Sequence, residues 1–115
     1  MALLTVQEIT KTGSIPTFTQ VLDGVGDTDD TFINDGKTYI EIVNASASLA
    51  LVVTVVFQGV CNQGKEHEHD VSVTIAKATH KKIGPFPCSQ FNDSDNLVHV
   101  QYDSTPDMTI GIFSL

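Results

Sequence analysis

The chain has 115 residues, 41% of them hydrophobic and 17% charged, with 6 basic side chains against 14 acidic ones and a formal net charge of −8. A chain of this length folds around one core, removing roughly two-thirds of its unfolded surface from water, and leaves no room for a second domain. All the cations are lysine, so the forked contacts that arginine makes with phosphate and guanine are missing, and with the acidic excess this argues against a nucleic-acid surface.

Residues 1–9 lack the basic start, long apolar run and small-residue cleavage site of an export signal, which predicts a soluble chain made in the cytosol. Beyond them, apolar residues recur with a period of two or in short solid runs, and Val, Ile and Thr dominate. That pattern predicts strands and fits a helix almost nowhere. The predicted strands cover 4–9, 17–22, 38–44, 48–57, 70–76, 80–83, 97–102 and 108–113. Turn-forming clusters of Gly, Pro, Asn and Asp separate them, at 13–16, 23–30, 34–36, 62–64, 92–96 and 104–107. Eight short strands at this spacing predict an all-β protein, an antiparallel β-sandwich of jelly-roll type. Residues 1–30 stand apart as an N-terminal arm or edge hairpin, and 31–115 form the sandwich.

Alternation assigns the faces. In 70–76, Val71, Val73 and Ile75 face one way and Ser72 and Thr74 the other; in 97–102, Val98, Val100 and Tyr102 oppose His99 and Gln101. The run 48–57 differs, because Leu51, Val53, Val55 and Phe57 on one face are matched by Val52 and Val56 on the other. A sandwich core covers one face only, so the second needs a loop, the N-terminal arm or a neighbouring subunit over it. Val52, Val56, Leu3 and Leu4 are therefore candidate contacts with a subunit or a larger assembly. The run is also far shorter than the ~20 residues a membrane-spanning helix needs, so no membrane is expected.

Chemistry-bearing residues are few. His67 and His69 form a His-x-His pair, which on a strand points both imidazoles to one face, and Cys61, Cys88, His80 or His99 could complete a metal site with them. Their setting, Gly64 to Asp70, lies in a turn between strands and favours a solvated charged hairpin tip over a metal site. Cys61 and Cys88 would close a loop worth about 3.5 kcal/mol if oxidised, whereas a cytosolic chain keeps such thiols reduced. The acidic clusters Asp27, Asp29, Asp30, Asn34, Asp35 and Asn92, Asp93, Asp95, Asn96 lack the EF-hand order and read as turns. No phosphate loop, nucleophile elbow or convergent acid–base pair is present, so no enzyme activity and no cofactor are expected.

Several segments together carry a resemblance: Asn34, Asp35, Gly36, Lys37, Thr38; the strand ending Val43, Asn44, Ala45, Ser46; the corner Ile83, Gly84, Pro85, Phe86, Pro87; Phe91, Asn92, Asp93; and Val98, His99, Val100, Gln101, Tyr102. In this part, residues 32–115, the chain resembles small β-sandwich virion proteins of tailed bacteriophages, of the head decoration or auxiliary type. The resemblance implies a structural protein made in the host cytoplasm and carried on the capsid exterior. It would bind the major capsid protein of the assembled head non-covalently, as a homo-oligomer such as a trimer, and stabilise the shell. Phe86, in the corner between two prolines, is a candidate contact, although a simple strand exit with Phe86 in the core is the favoured reading. Alternatives are a tail or connector component, a carbohydrate-binding β-sandwich module, for which only Tyr39 and Tyr102 are present, and a small cupin-like metalloprotein using His67 and His69.

Overall fold

A computed structural model of the chain describes residues 3–20, 30–58, 70–103 and 108–115. In these, nine strands and one short helix follow in order: β1 (Val6–Glu8), β2 (Thr19–Gln20), β3 (Asp30–Ile33), β4 (Thr38–Asn44), β5 (Leu51–Val55), β6 (Val71–Ile75), β7 (Thr79–Ile83), α1 (Cys88–Phe91), β8 (Leu97–Tyr102) and β9 (Met108–Ser114). They make two facing sheets. One runs β1-β9-β4-β7 with β2 beside β1 on the same edge of β9, and the other runs β3-β8-β5-β6. The antiparallel pairs are nested: β2 with β9, β3 with β8, β4 with β7 and β5 with β6. A long double ribbon folded over in this way is the jelly roll that the strand spacing predicted.

The alternating residues fill the space between the sheets. Ile40 and Ile42 of β4 and Ile110 and Ile112 of β9 face Val53 and Val55 of β5 and Val98 and Val100 of β8, all at 2% exposure or less. At about 25 cal/mol per Å² of buried apolar surface, this layer is the main stabilising term. Two buried asparagines lock the ends of the sandwich. Asn44, at the end of β4, donates to the carbonyls of Leu49, Ile75 and Ala76 and accepts from the Ser46 N–H. Asn34, just after β3, donates to Phe86 O and Asn92 Oδ1 and accepts from the Gly36 N–H, while Asn92 donates back to Asn34 O. Each is buried with its polar atoms satisfied, which makes a uniquely placed corner out of a polar residue in the core.

Two features differ from the sequence reading. Strand β3 lies in no predicted strand and begins inside the acidic turn expected at 23–30, where Asp30 and the following Thr31 are buried and pair with Val100 and His99 of β8. The helix α1 lay in no predicted element; it follows Pro87 and tucks Phe91 into the core. Phe86 corrects the expectation of a contact ring. It is 3% exposed and packs against Phe32 and, edge to face, against Phe91, so the Gly84–Pro87 corner is a structural one. Gly84 makes the corner feasible: it adopts φ +130°, and a Cβ there would lie 2.9 Å from Tyr39 Cβ.

Candidate docking surface

The N-terminal arm positions the most distinctive surface. It crosses from one sheet to the other along one flank of the sandwich. Leu4 N–H donates to Thr31 O of β3 at 2.7 Å, and Leu3 makes a parallel bridge to the same residue. Two residues on, the chain changes sheet, and Val6, Gln7 and Glu8 pair in parallel with Ile112, Phe113 and Ser114 of β9. The Gln7 side chain then holds the returning chain, donating to Thr17 O and accepting from Thr17 N–H, both at 2.7 Å. The segment is thus neither a free arm nor a hairpin of its own: β1 and β2 both borrow β9.

Where the arm diverges from β3 it leaves a groove of about 410 Å³, lined by Leu3, Leu4, Val6 and Ile33 and rimmed by Glu8 and Asp35. Six large apolar side chains stand exposed among the described residues, and four gather at this end of the sandwich: Leu3 (64%), Ile9 (40%), Ile33 (57%) and Leu115 (76%). Main-chain bonds from Ile9 N–H to Ser114 O and from Leu115 N–H to Lys37 O fix two of them there. On the far side of Leu115 a second groove, of about 300 Å³, lies among Lys37, Tyr39, Lys82 and Pro85. The same end therefore carries an apolar rim between an acidic and a basic groove. Asp35 is held below its ordinary carboxyl pKa, chiefly by the N–H of Lys37; burial acts in the opposite direction, and the Thr38 hydroxyl and the Lys37 charge add to the lowering.

Beneath the rim the floor is rigid. The Asn34–Asn92 knot and the cluster of Phe32, Phe86 and Phe91 lie under it. Beside them Asp93 accepts from the N–H groups of Asp95 and Leu97, and its other oxygen lies 2.6 Å from His99 Nε2. Burial is the largest influence on Asp93 and acts upward, but the bonds from His99, Leu97 and Asp95 outweigh it and hold the carboxyl below its usual range.

The other sequence candidates are scattered. Val52 and Val56 are half-buried on the outer face of β3-β8-β5-β6, and the arm is not their cover, since its described residues pair with Thr31 and β9. Leu4 is partly buried against the core, so it lines the groove while Leu3 rims it. His80 and His99 lie on opposite sheets; His80 Nε2 is 2.9 Å from Glu41 Oε1. His67, His69 and Cys61 fall outside the described residues, as do Asp27, Asp29 and most of the turns at 23–30 and 62–64. Cys88 carries an exposed thiol, 3.8 Å from Asn34 O. Among the described residues no three His, Cys, Asp or Glu side chains come together as a metal site would require. The two tyrosines offer little stacking surface: Tyr102 is buried beside Asp30, with burial and then the Asp30 charge pushing its phenol far above the usual value, and Tyr39 already stacks on Phe113.

No family model, curated protein or solved structure matches this chain. The fold and the surface chemistry are therefore the ground for its function. Ile9, Ile33 and Leu115, which complete the apolar rim, are not among the sequence candidates. The available signal was the alternation in Thr31, Phe32 and Ile33, which puts Phe32 inside and Ile33 outside once 30–33 is read as a strand.

Proposed function

We propose that this protein is a structural binding protein that fastens non-covalently to an assembled protein shell, as a decoration or cement protein on the head of a tailed bacteriophage. The observation that carries the reading is the gathering of Leu3, Ile9, Ile33 and Leu115 at one end of a jelly roll whose other large exposed apolar side chains, among the described residues, are Ile15 and Leu49. Apolar side chains collected at one place, with charged groups around them, have the composition of a binding surface. The floor of knotted asparagines and packed phenylalanines supports it, because a preordered surface loses little entropy on docking. The acidic remainder of the chain keeps such a protein soluble at the high local concentration of a particle surface. The same architecture serves shell proteins, lectins and cupins, so the fold by itself does not choose among them. Tyr39 stacked on Phe113 and Tyr102 in the core weigh against the carbohydrate-binding alternative.

As a homo-oligomer, such as a trimer at a local symmetry axis, the protein would turn modest contacts with the major capsid protein into durable retention. Co-sedimentation with undecorated heads tests the reading. Saturable binding at micromolar protein, lost in the Leu3→Asp, Ile33→Asp double variant, is expected; heads that pellet without the wild-type protein overturn it. Light scattering checks the oligomer, and a monomer at all concentrations removes that part.

A further inference from the structure

The groove beside the arm has a polar feature that its apolar lining hides. Leu97 exchanges both its main-chain bonds with Asp93: Asp93 N–H donates to Leu97 O, and Leu97 N–H donates to Asp93 Oδ1. Leu97 is the β8 partner of Ile33, and the next pair is bonded through Asn34 N–H to Asn96 O. In an antiparallel ladder bonded and non-bonded pairs alternate, so the N–H and C=O of Ile33 point away from β8, toward the free edge of the sheet. The arm satisfies that edge one step earlier, at Thr31 O, and then leaves for the other sheet. No described residue bonds the main chain of Ile33, and its side chain is 57% exposed. The groove thus joins an unpaired strand edge to a slot for apolar side chains.

We infer that this groove receives an extended, basic peptide segment of a partner protein, which pairs with the main chain of Ile33 and places an apolar side chain against Leu4 and Val6. Strand addition to an exposed sheet edge supplies main-chain bonds for affinity and side-chain pockets for specificity. The charge of the rim selects the sign of the ligand. Glu8 and Asp35 line the groove with no cation among its lining residues, and Asp35 is stabilised as the carboxylate. Lys37, the nearest cation in sequence, lines the other groove. The same acidic excess disfavours a second copy of this chain as occupant. The inference rests on the docking reading and narrows it, by naming what the partner presents.

The test uses the full chain and three fluorescein-labelled heptapeptides: alternating lysine and valine, alternating glutamate and valine, and the lysine–valine peptide with a central proline. Fluorescence anisotropy is expected to rank the lysine–valine peptide at least ~10-fold tighter than either of the others, with affinity falling as salt rises. Amide hydrogen exchange should show the Ile33 N–H slowed at least ~5-fold by that peptide and unchanged by the proline form. Ile33→Pro, which removes an outward-pointing donor and the apolar side chain on an edge strand, should lose at least ~10-fold in affinity, and Ile33→Ala, which keeps the donor, should lose less. Glu8→Lys lies on the exposed rim and should cancel the preference for lysine over glutamate while the fold persists. Equal binding of the basic and acidic peptides, protection appearing elsewhere, or self-association that protects Ile33 without peptide would each overturn the inference. Heads that bind normally while no peptide does would sink the peptide site and leave the shell-binding reading standing; the converse would sink the shell and keep the site.

Discussion

The two flanks of the sandwich face the same physical problem and solve it differently. On one, the edges of β6 and β7 lie side by side; on the other, those of β3 and β1. Along β7 the residues His80, Lys81 and Lys82 are all exposed, and Lys81 Nζ reaches across to the Thr74 carbonyl of β6 at 3.0 Å. That is a guarded edge: it is charged, and its outward carbonyl is already occupied. Along β3 the arm occupies Thr31 and departs, and no described residue bonds the main chain of Ile33, whose apolar side chain is exposed. An edge that the described residues leave unguarded is where another chain adds most easily. The difference between the flanks is a reason to place the proposed docking on the arm side.

The comparison can be broken or sharpened by substitution. The largest effect is expected at Asn34, whose side chain holds the end of β3 to Phe86 and Asn92: Asn34→Ala should destabilise by about 2–4 kcal/mol in urea unfolding, because buried partners lose their bonds together. Release of the arm should come next. Leu4→Ala, which removes the anchor packed against the core, should cost about 1–2 kcal/mol and speed exchange of the amides of residues 6–8, with little change at β7.

Acid should act on the same end. Asp93 has a depressed pKa in the folded protein, so its bonds add stability above the ordinary carboxyl value of about 3.9, and that stability is lost as pH falls through the lower, folded value. Urea midpoints from neutral pH down to pH 2 should show this loss, and Asp93→Asn should flatten that part of the profile. The smallest stability changes belong to the flanks themselves. Ile33→Lys on the arm side and Lys81→Ala on the guarded side should each shift stability by no more than about 0.5 kcal/mol. They should differ in association: the first removes docking, whereas the second opens Thr74 and raises concentration-dependent aggregation seen by light scattering.

Much of this architecture could be read from residue order. The ranges 38–44 and 97–102 coincide with β4 and β8, and β5, β6, β7 and β9 fall on or within two or three residues of their predicted bounds. Of these, β4, β5, β6 and β8 alternate cleanly because each has one face in the core and one more open to water, so composition reports position directly. Strand β3 could not be read that way. Asp30 and Thr31 are polar yet buried, and a polar pair after an acidic run reads as loop until Val100 and His99 are placed beside it. Phe86 shows the converse: its corner position between two prolines leaves a contact and a core place both open, and the packing of Phe32 and Phe91 decides for the core.

The candidate site divides along the same line. Leu3 and Leu4 are among the contacts expected from the sequence, whereas Ile9, Ile33 and Leu115 are separated widely in sequence and come to one end of the sandwich only because β1, β3 and β9 end there. By itself, the amino-acid order determined a single acidic, all-β domain with its strands and their inward faces, since period-two patterning is a local property that each strand carries independently. Tertiary structure alone decided which strands are neighbours, where the arm crosses, and which edge stays open. Those depend on long-range pairing, in which residues far apart along the chain complete or leave unfinished each other's hydrogen bonds.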